Sequence, residues 1–197
     1  MNAATHACRE TPLAAEPKPH PITVSAYHRM GETGILDPTQ RTELIDARII
    51  DMAPIGSEHA DTVNRITRTL IKMLPEAIIV SIQNPVYLDE TNEPEPDIAL
   101  LRPREQPYRE AHPGPADVLL IIEVADTSLR YDRDVKLPLY ARHRIPEVWL
   151  VDVATNRLHV YREPIEAHYR LHVQPQRDET LTLGALESLS IDLSRLF

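Results

Sequence analysis

The chain has 197 residues, 42% hydrophobic and 26% charged, which is ordinary usage for one folded domain with a sizeable core and unlike a disordered or fibrous chain. Its net charge of −9 excludes a general nucleic-acid coat protein, which would be basic, but not a nuclease, whose metal-dependent site is itself acidic. One cysteine, Cys8, excludes an internal disulfide and a cysteine-rich zinc site, and five glycines without phosphate-loop spacing exclude Walker and Rossmann motifs.

Residues 1–21 carry EPKPHP and little apolar periodicity, so a flexible lead-in is expected there, with one domain over residues 22–197. The longest apolar run, Val118 to Ile122, is far short of the ~20 residues that span a bilayer, and no basic start precedes an apolar block. A cytoplasmic protein with no membrane partner is therefore expected. Thr23 is placed to cap a short helix over VSAYHRM. TELIDARIIDMAP brackets an Asp-Ala-Arg turn with apolar residues and reads as a hairpin. Ser57 is expected to cap a helix to about Leu74, with Val63, Ile66, Leu70 and Met73 or Leu74 on one stripe and Pro75 as the stop.

AIIVSIQNPVYLDE supplies one or two strands, DIALLRP another, and VLLIIEVAD a central one buried on both faces. A helix to about His143 follows. Pro138 moves its regular part to Val135 or Lys136 onward, because proline inside a helix costs ~3 kcal/mol. EVWLVDV gives a further strand, and NRLHVYRE and YRLHVQPQ alternate as an antiparallel meander. Strands with interposed helices make a mixed α/β domain.

Glu123 is the anomaly, a carboxylate closing five apolar residues. Burying it unpaired costs several kcal/mol, so it must reach water, pair with a cation or hold a metal. Glu43 before LID, Asp97 before IALL and Glu123 after LLII all stand at strand margins, and carboxylates converging on one sheet edge repel one another unless a divalent cation joins them. Oxygen ligands of this type suit magnesium or manganese. None of the remaining histidines shows paired metal spacing; His168 and His172 are four apart but flank a strand-like YRL.

Pro96-Asp97 followed by Glu123-Val124-Ala125 resembles the PD-(D/E)xK nuclease superfamily. TELIDARIIDMAPIGSEHA, EPDIAL and above all EVADTSLRYDRDVKLPLYARHRIPEVWLVD resemble the Uma-two family of restriction endonucleases over roughly residues 23–195. The resemblance implies a restriction-endonuclease-like mixed β-sheet flanked by helices, with a carboxy-terminal antiparallel extension. It implies Asp97, Glu123 and the Val124 carbonyl as metal ligands, Glu43 as the acid from before the core motif, and His59 as the histidine of the first long helix. The superfamily lysine two residues after Glu123 is Ala125 here, and Lys136 on the following helix is its implied replacement. Where the family tends to place glycine in the hairpin, this chain has Ala47, which puts the turn type in question.

The implied activity is magnesium- or manganese-dependent hydrolysis of DNA phosphodiesters, with Arg133 and Tyr140 beside Lys136 on a basic helix face that grips the substrate backbone. The alternatives are a nuclease fold that has lost catalysis and works in binding or assembly, and a metal-dependent phosphohydrolase acting on RNA or small phosphate esters. The arginines from Arg130 to Arg144 alternate with Asp132 and Asp134, so a salt-bridged surface helix competes with the basic-face reading. A homodimer would bring two sites to the two strands of a duplex, although no residue pattern specifies one.

Overall fold

The structure is a computed structural model and describes residues 19–104 and 108–196. Of the lead-in expected over residues 1–21, residues 1–18, Cys8 included, lie outside the described residues. Helix α1 (Val24–Glu32) begins as expected, with the Thr23 hydroxyl accepting from the Ala26 amide at 3.2 Å. Strands β1 (Thr42–Ile45) and β2 (Arg48–Asp51) form the expected hairpin. Helix α2 spans Ser57–Met73, but its cap is the extended Gly56. Ser57 is already helical, so its hydroxyl is not used as the sequence suggested.

The main sheet has six strands in the order β3 (Ile79–Ile82), β4 (Ile98–Leu101), β5 (Val118–Ala125), β6 (Glu147–Asp152), β7 (Arg157–Ile165), β8 (His168–Val173). Every pairing is antiparallel except β5 with β6. Parallel neighbours need a long crossover, and here it is helical. It runs through α3 (Leu129–Tyr131), a π-helical stretch (Asp132–Lys136) and α4 (Leu137–Arg142). Strands β9 (Thr180–Leu183) and β10 (Leu186–Asp192) form a separate antiparallel hairpin. The expected meander is thus divided between β7–β8, which widen the main sheet, and β9–β10. No described helix is long and apolar enough to cross a membrane.

All eight residues of β5 are buried, which explains the near-continuous apolar run. Leu120, Ile122 and Val124 join Val63, Ile66 and Leu70 of α2 together with Trp149 on one face. Ile121 and Ala125 join Leu139, Tyr140 and Ala141 of α4 on the other. Each large apolar side chain removed from water contributes about 1.5–3 kcal/mol, so the sheet and its two helical covers form one cooperative core. Glu123 alternates onto the α4 face. At the edge of this core Glu147 is 1% exposed: its Oε1 accepts from Trp149 Nε1 (2.7 Å) and Arg162 Nη2 (2.8 Å), and its Oε2 from the Gly184 amide (2.6 Å), fastening the β9–β10 turn to the sheet.

The β1–β2 turn places Asp46 at φ 45° and Ala47 at φ 60°, two consecutive left-handed residues as a type I′ hairpin requires. This answers the question raised by the missing glycine. The turn is imposed from outside: Asn92 Oδ1 accepts the Asp46 amide at 2.7 Å, the Thr91 carbonyl accepts the Ala47 amide at 3.0 Å, and the Ala47 carbonyl accepts the Ile22 amide at 3.0 Å. Ala47→Gly is therefore expected to raise stability by about 0.5–1 kcal/mol by removing the Cβ penalty, as read from the urea midpoint.

Asp89 builds the turn that supplies those contacts. Its carboxylate takes the Thr91 amide at 2.7 Å, Asn92 Nδ2 at 2.9 Å and His143 Nε2 at 2.8 Å, the last tying the turn to the end of α4. Burial pushes its pKa up, but these bonds prevail and hold it at about 2 against an ordinary 3.8. A folded pKa below the unfolded one means stability that is present above pH 3.8 and lost as pH falls toward 2. Asp89→Asn is expected to cost about 1 kcal/mol at neutral pH, discounted for partial exposure, with the difference from the parent closing between pH 4 and 2 in an acid-unfolding series.

Candidate active site

A cleft of about 330 Å³ lies beside the carboxyl-terminal half of β5, walled by β1, the loop after β2, the start of α2 and the π-helical stretch. Glu43, His59, Asp97, Glu123 and Lys136, which come from five separate elements or their margins, all line it. The Lys136 ammonium stands 2.9 Å from Glu123 Oε1 and 3.2 Å from Glu43 Oε2, with all three side chains buried. Tyr140, 0% exposed, donates its hydroxyl to Glu123 Oε1 at 2.5 Å from beneath. Asp97 Oδ2 accepts the Val124 amide at 2.9 Å, and Asp97 Oδ1 lies 2.9 Å from His59 Nε2 and 3.2 Å from Gln83 Nε2. The Asp97 amide reaches Glu123 Oε2 at a long 3.4 Å.

The charge states follow from this geometry. Burial pushes the Glu123 carboxyl up to about 8, the nearby ammonium of Lys136 offsetting only part of the effect, and burial also raises Asp132. Burial works against the charge on Lys136, yet the surrounding Glu123, Tyr140 and Glu43 hold its pKa above the ordinary range. Asp97 is lowered despite burial because His59, the Val124 amide and Lys136 favour its anion, and His59 is raised in turn by its bond to Asp97. The cleft wall carries seven aspartates and glutamates against Arg41, Lys136 and His59. A phosphate approaching this wall would be repelled, and the oxygen-rich donor set fits a hard divalent cation. The Tyr131 hydroxyl at the same wall is buried without a partner, a polar atom left for something bound in the cleft. Asp97, Glu123 and the Val124 carbonyl, which faces His59, would hold such a cation.

The sequence matches the Uma2 family, described as "Putative restriction endonuclease", over residues 24–194. The chain belongs to the Uma2 family. Among solved structures it is similar to one described as a "putative nuclease belonging to DUF820" from Anabaena variabilis, with a TM-score of 0.67 and 17% identity, covering 90% of this chain and 98% of that one. At that identity the likeness speaks for the fold, a restriction-endonuclease-like α/β arrangement. The comparison with curated proteins gave no match.

In this Uma2 chain Ala125, the position where the sequence resemblance leads one to expect a lysine, is wholly buried, and the ammonium beside Glu123 comes from Lys136 of the π-helical stretch. Pro138 explains that stretch. It has no amide to donate, its ring would crowd the carbonyl four residues back, and the helix widens so that the Leu137 amide bonds to the Asp132 carbonyl five residues back. The regular α-helix resumes at Leu137, one residue after the later expected start.

The basic face expected on this helix does not form. Arg133 is exposed, pairs with Asp134 at 2.8 Å and does not line the cleft, while Lys136 and Tyr140 point inward to Glu123. His143 turns to Asp89. Two residues that the sequence pattern concealed serve the Uma2 cleft, Asp132 in its wall and Gln83 behind Asp97. Asp132, 6% exposed, accepts the Ser128 hydroxyl at 2.5 Å. Its place four residues before Lys136 was the available signal, masked by the arginines around it. Gln83, at φ 50° just past β3, reaches Asp97 from a backbone conformation that no pattern in QNP announced.

Proposed function

We propose that this Uma2 protein hydrolyses phosphodiester bonds of DNA with magnesium or manganese. The observation that carries the reading is the buried Glu43–Lys136–Glu123 bridge beside Asp97 at one solvent-open cleft. A protein gains nothing in stability from gathering like charges in this way, and perturbed carboxylates in a cleft mark functional sites. When bound, a divalent cation supplies Lewis acidity at the phosphate and lowers the pKa of an attacking water.

The chain's own groups do the rest. Lys136 Nζ keeps a full positive charge at the cleft wall, where it offsets charge developing on the phosphate. Tyr140 fixes the rotamer of Glu123 from below, and Val124 and Gln83 fix that of Asp97. His59 Nε2, 2.9 Å from Asp97 Oδ1 and with its pKa raised by that bond, is the group of the cleft wall suited to hold or pass a proton. Arg41, held by Glu95 at 3.0 Å, is the guanidinium of the cleft wall and the candidate backbone contact there. Double-strand cleavage would use two copies of the chain, one per strand.

The test is cleavage of supercoiled plasmid and single-stranded DNA with magnesium or manganese, comparing the parent with Asp97→Ala and Glu123→Ala. Metal-dependent nicking that is lost in both folded variants is expected. Equal activity in parent and variants would overturn the reading in favour of a binding protein, and cleavage confined to RNA or phosphate monoesters would reassign the substrate.

A further inference from the structure

A second cavity, of about 910 Å³, opens between α1, the turn after Leu88 and residues 108–112, and it shares no lining residue with the catalytic cleft. His28 Nε2 stands 2.6 Å from Glu93 Oε1, and the ligating atoms of His28, Glu93 and His112 all lie within 4.8 Å of one another. Glu93 is 3% exposed, and its other oxygen, Oε2, is buried with no hydrogen-bond partner. Leaving a buried carboxylate oxygen unsatisfied costs about 1–3 kcal/mol. The side chain cannot withdraw, because the Glu93 backbone is pinned to β1 by bonds to Leu44 in both directions, at 2.8 and 3.3 Å. Two imidazoles and a half-paired carboxylate thus converge where no role in the cleft explains them.

We propose that His28, Glu93 and His112 form a second metal site that takes a zinc-class divalent cation, with solvent completing its shell. The donor set decides the ion: imidazole suits zinc, cobalt and nickel, whereas magnesium keeps to oxygen and its own waters. Tetrahedral ligands at zinc distances stand about 3.3 Å apart, so His28 and Glu93 are already close and the exposed His112 ring closes the remaining gap by rotation. The ion would clamp α1 to the loop that pairs with β1, the strand that carries Glu43. Three ligands far apart in the chain explain why histidine spacing gave no sign of it.

The test uses the full chain stripped of metal and then dialysed against zinc, with cobalt as a spectroscopic probe. One tightly held zinc per chain, a cobalt visible absorption band and a zinc-dependent rise in Tm are expected in the parent. All three are expected to persist in Asp97→Ala/Glu123→Ala, which lacks the oxygen donors of the cleft. His112→Asn, at an exposed position that folding tolerates, and His28→Ala should weaken zinc binding by at least about tenfold and abolish the Tm response. Zinc stoichiometry unchanged in both histidine variants, zinc bound only when Asp97 and Glu123 are present, or no zinc held by the parent would each overturn the proposal. None of these readouts requires that the protein cleave DNA, so failure of the nuclease reading is seen separately.

Discussion

Lys136→Met is expected to lower stability by about 3–5 kcal/mol and to reduce DNA cleavage at least about 100-fold. The ammonium is 3% exposed and bridges Glu43 and Glu123, so its removal leaves two buried carboxylates facing each other with Asp132 close by. Methionine refills most of the volume, and the loss is therefore electrostatic and not a cavity effect. Adding Glu123→Gln to Lys136→Met should recover most of the stability by removing one orphaned charge, and none of the activity. Urea unfolding and plasmid nicking on the four corners of this cycle measure both quantities. Independent, additive stability effects at the two positions would show that the buried bridge does not exist.

Glu123→Gln alone is expected to do the opposite to stability and the same to activity. In metal-free buffer at pH 7–8 the variant should be more stable than the parent by on the order of 2 kcal/mol, a rise in Tm of roughly 5 °C, while cleavage is lost. The basis is a charge count. Glu43, Glu123 and Asp132 crowd one buried ammonium, and Glu43 alone suffices to neutralise it. The amide keeps an oxygen for Lys136 and Tyr140 and sheds the charge. Because the folded pKa of Glu123, about 8, lies above its ordinary 4.5, the penalty on the parent is absent below pH 4.5, grows as pH rises and is complete above about 8. The gain from the substitution should follow the same course in thermal scans. A variant less stable than the parent at pH 8 would count against a site that trades stability for chemistry.

Much of the scaffold was legible because hydrophobic burial leaves periodic marks. The five apolar residues of β5 announced a strand covered on both faces, the Val63-Ile66-Leu70 stripe announced α2, and the cost of burying Glu123 singled it out before any geometry was known. Placement within the cleft was less legible, because polar residues are read by their sequence neighbours but act on their spatial ones. Asp132 sits among arginines and looked solvated, yet its side chain turns inward; Arg133, one residue on, looked like a substrate contact and turns outward. The type I′ turn at Asp46-Ala47 was obscured for a related reason, since its left-handed backbone is enforced by Asn92 and Thr91, far along the chain.

The widened turn before Pro138 makes the site a matter of helical phase. A straight α-helix advances so that eight steps leave Tyr140 about 80° round from Asp132, nearly the whole width of one helix face, with Lys136 halfway between them. The extra residue held in the five-residue-back bond from Leu137 to Asp132 cancels that drift. The stretch therefore works as a vernier between two rigid segments, setting the angle at which Lys136 meets Glu123. Shortening residues 132–136 by one would leave composition and hydrophobic core nearly untouched, and would rotate either the aspartate or the ammonium away from the carboxylates they serve.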